Sequence, residues 1–252
     1  IYNSEGALVA EKYASQPYES DPRTQRGLFG FRLAPGEYKV YCFTNTDSVE
    51  FTNTQTRESS SFTLVANERK EGYLKEPSDL LFQKFEREVI HEGIVLVDTT
   101  TLKKYTGRIT VRFKKFPADI TVVNKLQLSV HGIASQQFLK EDTLTTRMAD
   151  TDKMWHQEFM QENIQTGDEF DITHRYLPTV EDLLCYFEFD FMDSNENTVS
   201  RFRVDAADIN TGVPARLLHG KRLIIEVENF VVTNISLVGW NEDIKSEDVN
   251  MD

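Results

Sequence analysis

The seven residues "CYFEFDF", Cys185 to Phe191, alternate without a break: Cys185, Phe187, Phe189 and Phe191 fall on one face and Tyr186, Glu188 and Asp190 on the other. Side chains repeat every two residues in an extended strand, so this stretch predicts a β-strand with one face in a core and one in water. "GRITVRFKKF" repeats the pattern, with Ile109, Val111 and Phe113 inward against Arg108, Thr110, Arg112 and Lys114. "NKLQLSVHG", "VSRFRVD", "RLIIEVENFVV" and "NISLVGW" read as further strands, and the 17 Phe and 9 Tyr suit half-buried pleated surfaces. The predicted class is all-β and antiparallel.

In the first third, short strands are predicted between turns: "IYN", "GALVAEKY" after Asn3-Ser4-Glu5-Gly6, "GLFGFRL", "EYKVYCF" and "SSFTLVA". Phe29, Phe31 and Leu33 are predicted to face inward, as are Phe62, Leu64 and Ala66. In "LAPGEYKVYCFTN", Pro35 and Gly36 build a tight turn, after which Tyr38, Val40 and Cys42 take one face and Lys39, Tyr41 and Phe43 the other. The polar "TNTDSVEFTNTQTRESS" predicts a surface loop, because its side chains compete for main-chain hydrogen bonds. At "KEPSDLLF" Pro77 disfavours helix at Glu76 and Ser78-Asp79 supply turn oxygens, which places a domain boundary near residue 88. Residues 1–88 then form one β-domain and residues 89–252 a second, opened by a strand at "EGIVLVD". A single helical turn is predicted around Ala206 to Ile209, stopped by Gly212 and Pro214, and the acidic last twelve residues predict a frayed tail.

A formal charge of -13 argues against nucleic acid or an anionic bilayer surface as the main partner. Cys42 and Cys185 are too few for a disulfide scaffold, and each is expected to be a small buried hydrophobe in its own core. The chain begins at Ile1 without a Met, so a trimmed N-terminus is expected.

The search for chemistry yields little. Glu188 and Asp190 project from one strand face about 7 Å apart, as the carboxylates of an inverting glycosidase do, yet a solvated sheet face asks for the same residues. "DSNENT" places Asp193, Asn195 and Asn197 like the opening of a calcium loop, but Thr198 replaces the required Gly and Val204 the bidentate Glu, so a hairpin turn is expected. His91, His131, His156, His174 and His219 have no metal-ligand spacing. The basic run Lys103, Lys104, Arg108, Arg112, Lys114 and Lys115 reads as the wet face of a strand. Trp155, in "MWHQEF", is the one candidate for stacking on a sugar ring. No nucleophile elbow or phosphate-cradling loop appears, so the reading is non-enzymatic, with no cofactor, no metal and no catalytic residue.

In order along the chain, "IYNSEGALV", "LAPGEYKVYCFTN", "EPSDLLF", "LKKYTGRITVRF" and "NISLVGWNEDI" span nearly its whole length, and together they resemble the Bacteroidetes fimbrial anchor and fimbrillin-associated lipoproteins, which include the minor anchoring subunits of type V pili. The resemblance implies two transthyretin-like antiparallel β-sandwiches in tandem, and attachment to the outer membrane by a lipidated Cys ahead of Ile1. It implies a fimbrial anchor or minor subunit at the cell surface, with fimbrial subunits as partners. Sheet edges carry open N–H and C=O groups, so assembly by strand addition is the expected mechanism. The competing reading is a surface lipoprotein that binds glycans, motivated by the aromatic richness and Trp155.

Overall fold

The structure is a computed structural model, and it describes residues 1–13, 29–69, 71–93, 96–114, 125–140, 146–147, 154–158, 169–180 and 183–240. The alternating stretches become strands wherever a neighbouring edge completes their hydrogen bonds. In chain order these are β1 (Tyr2–Asn3), β2 (Gly36–Thr44), β3 (Val49–Thr52), β4 (Ser61–Leu64), β5 (Leu81–Val89), β6 (Lys103–Lys104), β7 (Gly107–Lys114) and β8 (Lys125–His131). They continue with β9 (Gln136–Phe138), β10 (Thr146–Arg147), β11 (Met154–Glu158), β12 (Phe170–Tyr176), β13 (Tyr186–Met192), β14 (Thr198–Asp205), β15 (Lys221–Glu228) and β16 (Val231–Gly239). Among the described residues there is no helix, and the chain is all-β.

Four sheets of four strands result, ordered β1-β2-β5-β6, β10-β9-β4-β3, β11-β8-β13-β14 and β12-β7-β15-β16. The last two pack face to face. Phe113 of β7 meets Phe189 of β13 edge-on at 5.2 Å between ring centres, and Phe189 stacks on Phe202 of β14 at 4.8 Å. Cys185, Phe187, Phe189 and Phe191 are buried, as are Ile109, Val111 and Phe113, as their alternation requires. Each such side chain contributes about 1.5–3 kcal/mol by leaving water. In the first two sheets Phe43 of β2 packs on Phe62 of β4 and Phe51 of β3, at 5.7 and 5.0 Å. Tyr105 touches Phe62 and Phe82 as well as His219, so both sheet pairs share one continuous core.

Two pairings tie the halves of the chain together. β6 pairs with β5, and β9 pairs with β4, so residues beyond 88 complete sheets begun before it. Among the described residues the expected antiparallel pattern has one exception: β7 and β15 run parallel, with Ile109 beside Leu223 and Val111 beside Ile225. The strand order β12-β7-β15-β16 places two strands of the same direction side by side, which a chain of hairpins alone would not do.

Several expected elements differ. Phe29 and Phe31 lie outside any strand and are exposed, and Leu33 is half-buried. "GALVAEKY" gives only isolated bridges, Ala7 with Thr56 and Leu8 with Tyr2. Ala66 is exposed, whereas Phe62 and Leu64 are buried as expected. Within the expected loop 44–60 lies β3, and Ser48 and Ser60 are fully buried there because Ser48 Oγ accepts the Ser78 N–H at 2.7 Å and Ser60 Oγ bonds the Tyr2 hydroxyl at 2.7 Å. On β2 the core face carries Tyr41 and Phe43, whose rings are the larger apolar surface, and Cys42 on the opposite face is only half-buried. The described part of "EGIVLVD" is not a strand: Gly93 sits in a turn at φ +76° and Val97 is 78% exposed. The helical turn at Ala206–Ile209 is instead a loop closed by the Ala207–Pro214 bridge, because the Asp208 carboxylate accepts the main-chain N–H groups of Asn210 and Thr211, at 3.0 and 2.8 Å. The acidic tail lies outside the described residues.

Candidate assembly surface

The carboxylates on β13 are held by neighbouring strands. His131 Nε2 of β8 donates to Glu188 Oε2 at 3.0 Å, and Arg201 of β14 pairs with Asp190 through its Nε and Nη2. Tyr186 lies between His131, stacked at 4.4 Å, and the Arg203 guanidinium, 3.7 Å from its ring centre. Glu188 and Asp190 therefore belong to a ladder of hydrogen-bonded polar pairs on a wet sheet face, and neither lines the groove at Ala10–Lys12 with Gly30–Arg32 or the one at Glu86–Glu88 with Leu96.

"DSNENT" is the β13–β14 turn. Asp193 Oδ1 accepts the N–H groups of Asn195 and Asn197 at 2.8 and 2.9 Å, and the Asn197 bonds hold the carboxyl below its ordinary range. The histidines stay apart: His131 pairs with Glu188, His174 with Glu76, and His219 donates from Nδ1 to the Tyr105 carbonyl at 2.8 Å. Among the described residues no group of His, Cys, Asp and Glu is arranged to hold a metal. Trp155 lies on β11, an outermost strand, in register with Ser129 of β8; its side chain lies outside the described residues. Of the basic run, Arg112 pairs with Asp171 and Lys114 with Glu226, while Lys104 and Arg108 both lie 4.1 Å from the Trp240 ring centre. These bases are answered locally, as a solvated strand face requires.

The edges of the sheets hold the remaining interaction capacity. On β14, Phe191 faces Ser200 and Met192 faces Thr198, which leaves Val199 as an extra, exposed residue. On β16, Glu226 faces Asn234 and Val227 faces Val232, which leaves Thr233 extra, with its hydroxyl donating to the Glu226 carbonyl at 3.3 Å. Both are bulges, and a bulge twists an edge away from continued pairing. β12 carries a different device. Glu76, from the segment before β5, accepts the Arg175 main-chain N–H at 2.8 Å and the His174 Nδ1 proton at 2.9 Å. A carboxylate thus occupies a donor that a further strand would need. Sequence reading passed over Glu76, because its partner lies 99 residues away in the chain and no local spacing marks it.

No family model matches the sequence, and no curated protein matches it. Solved structures do. A candidate adhesin from Bacteroides thetaiotaomicron superposes at a TM-score of 0.55 with 10% identity, covering 95% of this chain and 88% of that one. The chain has the fold of the Bacteroides candidate adhesins. A second, from Bacteroides ovatus, superposes at 0.54 with 12% identity over 69% of this chain and 66% of that chain. The fimbrial anchor protein Mfa2 from Porphyromonas gingivalis overlaps more loosely, at 0.44, with 14% identity over 82% and 76%.

Proposed function

We propose that the protein is a non-enzymatic structural and adhesion component of the bacterial cell surface, a fimbrial anchor or minor fimbrial subunit held at the outer membrane. The observation that carries this reading is the adhesin-like fold across 95% of the chain. In this reading the four sheets are two transthyretin-like β-sandwiches in tandem, 1–88 and 89–252, with β6, β9 and β10 lent by the second segment to the first. Assembly proceeds by strand addition at a sheet edge, where main-chain hydrogen bonds supply affinity and alternating side chains supply selectivity. The wet, ion-paired face of β13 supports a structural role over a catalytic one, since its carboxylates are bound to His131 and Arg201.

Crosslinking in the cells that make the protein, followed by mass spectrometry of membrane and sheared-filament fractions, tests the proposal. Recovery of filament subunits, with this chain in the membrane fraction, is the expected result. Recovery of polysaccharide-uptake lipoproteins and no filament subunit would replace it with the glycan-binding reading.

A further inference from the structure

β5 is paired along its full length with β2, from Gly36 opposite Val89 to Thr44 opposite Leu81. On its other side, among the described residues, only β6 pairs with it, at Leu81 and Phe82. The Tyr105 N–H donates to the Leu80 carbonyl at 2.8 Å, so Leu80 turns its main-chain groups toward that side. Residues in an antiparallel strand alternate in direction, so Phe82 does the same, and further along Glu86 and Glu88 do too. Past Phe82, no strand among the described residues lies there to meet them.

The following segment stays close without closing the gap. Phe82 faces Lys103, and the same register continued would set Asp98 opposite Arg87; the two form an ion pair at 3.2 Å. Yet no ladder forms, and Leu96 and Val97 remain 41% and 78% exposed. A groove of about 300 Å³ remains between the two, lined by Glu86, Arg87, Glu88, Ile90, His91 and Leu96. Its apolar wall includes Ile90, which is 64% exposed. The local segment is a poor occupant. It continues as Asp98-Thr99-Thr100-Thr101, a polar run, against an edge where Lys39 of β2 answers Glu86 at 3.2 Å while Glu88 stands directly opposite Glu37, a like charge. Like charges at close range disfavour pairing, and a basic strand relieves them.

Resting on the assembly reading above, we infer that the Glu86–Glu88 edge of β5 is the docking site for an extended segment of a partner subunit in which apolar residues alternate with Lys or Arg. Main-chain groups of Glu86 and Glu88 extend the sheet, an apolar side chain fills the groove beside Ile90 and Leu96, and basic side chains meet Glu86 and Glu88. The bulges of β14 and β16 and the Glu76 carboxylate on β12 make those three edges less suited to a further strand than this one.

A capped peptide alternating valine and lysine, titrated into the purified full chain, tests the site, with a valine–glutamate peptide as control. The expected result is binding of the lysine peptide alone, slowed hydrogen exchange at the Glu86 and Glu88 amides, and affinity lowered about tenfold or more in Glu86→Lys/Glu88→Lys. Equal binding of both peptides, no binding, or protection confined to β12, β14 or β16 overturns the site. So does slow exchange at Glu86 and Glu88 in the free chain, which would mean that residues 96–102 already fill the edge. Because the peptide titration uses purified protein, its failure beside a successful cell crosslink removes this site alone; a failed crosslink removes the wider reading.

Discussion

The Tyr105 hydroxyl donates to the Gln137 side-chain oxygen at 2.7 Å, with both residues shielded from water. Tyr105 precedes β7 and Gln137 lies in β9, so the bond ties the sheet pair of β7 to the strand that β9 adds beside β4. Tyr105→Phe leaves that acceptor buried without a donor and is expected to cost about 1–3 kcal/mol in urea unfolding. Burial also holds the Tyr105 phenol well above its ordinary value of 10.0. The unfolded chain ionises first, so this contribution to stability is intact below about pH 10 and declines above it. The Phe variant should lose less stability between pH 9 and 11, about the span of that ionisation, than the parent does.

His219 titrates with the opposite sign. Burial lowers its pKa from 6.5, and the bond it donates to the Tyr105 carbonyl offsets this only in part. The unfolded histidine takes up a proton first, so stability is held above about pH 6.5 and lost as the pH falls through the lowered folded value. Melting temperatures at neutral and mildly acidic pH should show a drop that His219→Gln reduces.

The two thiols should separate by reactivity. Cys185 is fully buried, which pushes its pKa far up, whereas Cys42 is half-buried with a smaller rise from the same cause. Reagent added to the native protein should label Cys42 slowly and leave Cys185 intact until unfolding, read by mass spectrometry of the digested chain. Fast labelling at Cys185 would contradict its place in the core.

Glu76→Ala should uncover the β12 edge. The Arg175 amide loses its acceptor, and that amide should exchange faster, with a stability loss of about 1–3 kcal/mol. Light scattering should show more self-association, whereas Glu76→Gln, which keeps an acceptor oxygen, should remain close to the parent.

Gly132 and Gly72 share a left-handed backbone but not a neighbourhood. A Cβ at Gly132 would meet the Leu184 carbonyl oxygen, while at Gly72 nothing among the described residues lies within 4 Å. Gly132→Ala should cost about 3 kcal/mol or more, and Gly72→Ala about 1 kcal/mol from backbone strain, by denaturant titration.

The strands that sequence reading found are those whose alternation is strict and whose inward residues are large. Phe187, Phe189 and Phe191 declare β13 because no other arrangement buries all three together. β5 was invisible: in "LFQKFEREV" the residues from Leu81 to Phe85 are all half-buried and only Val89 is buried, and the charged residues blur the period. Phe29 and Phe31 mislead for the converse reason, since alternation states a preference for extension but cannot supply a partner edge. Glu188 and Asp190 were legible as a face but not as a ladder, because His131, Arg201 and Arg203 arrive from other strands. The open side of β5 could not be read at all, since it is defined by where a ladder stops.

The parallel pairing of β7 with β15 sets an order of events during synthesis. Ile109 waits for Leu223, so a ribosome must deliver the chain as far as β15 before β7 gains its second neighbour. Long-range pairing of this kind is slow to form, and a nascent chain halted before residue 221 would present the β7 edge to whatever lies near. Such a protein depends on an escort, or on rapid completion, between its first and last strands.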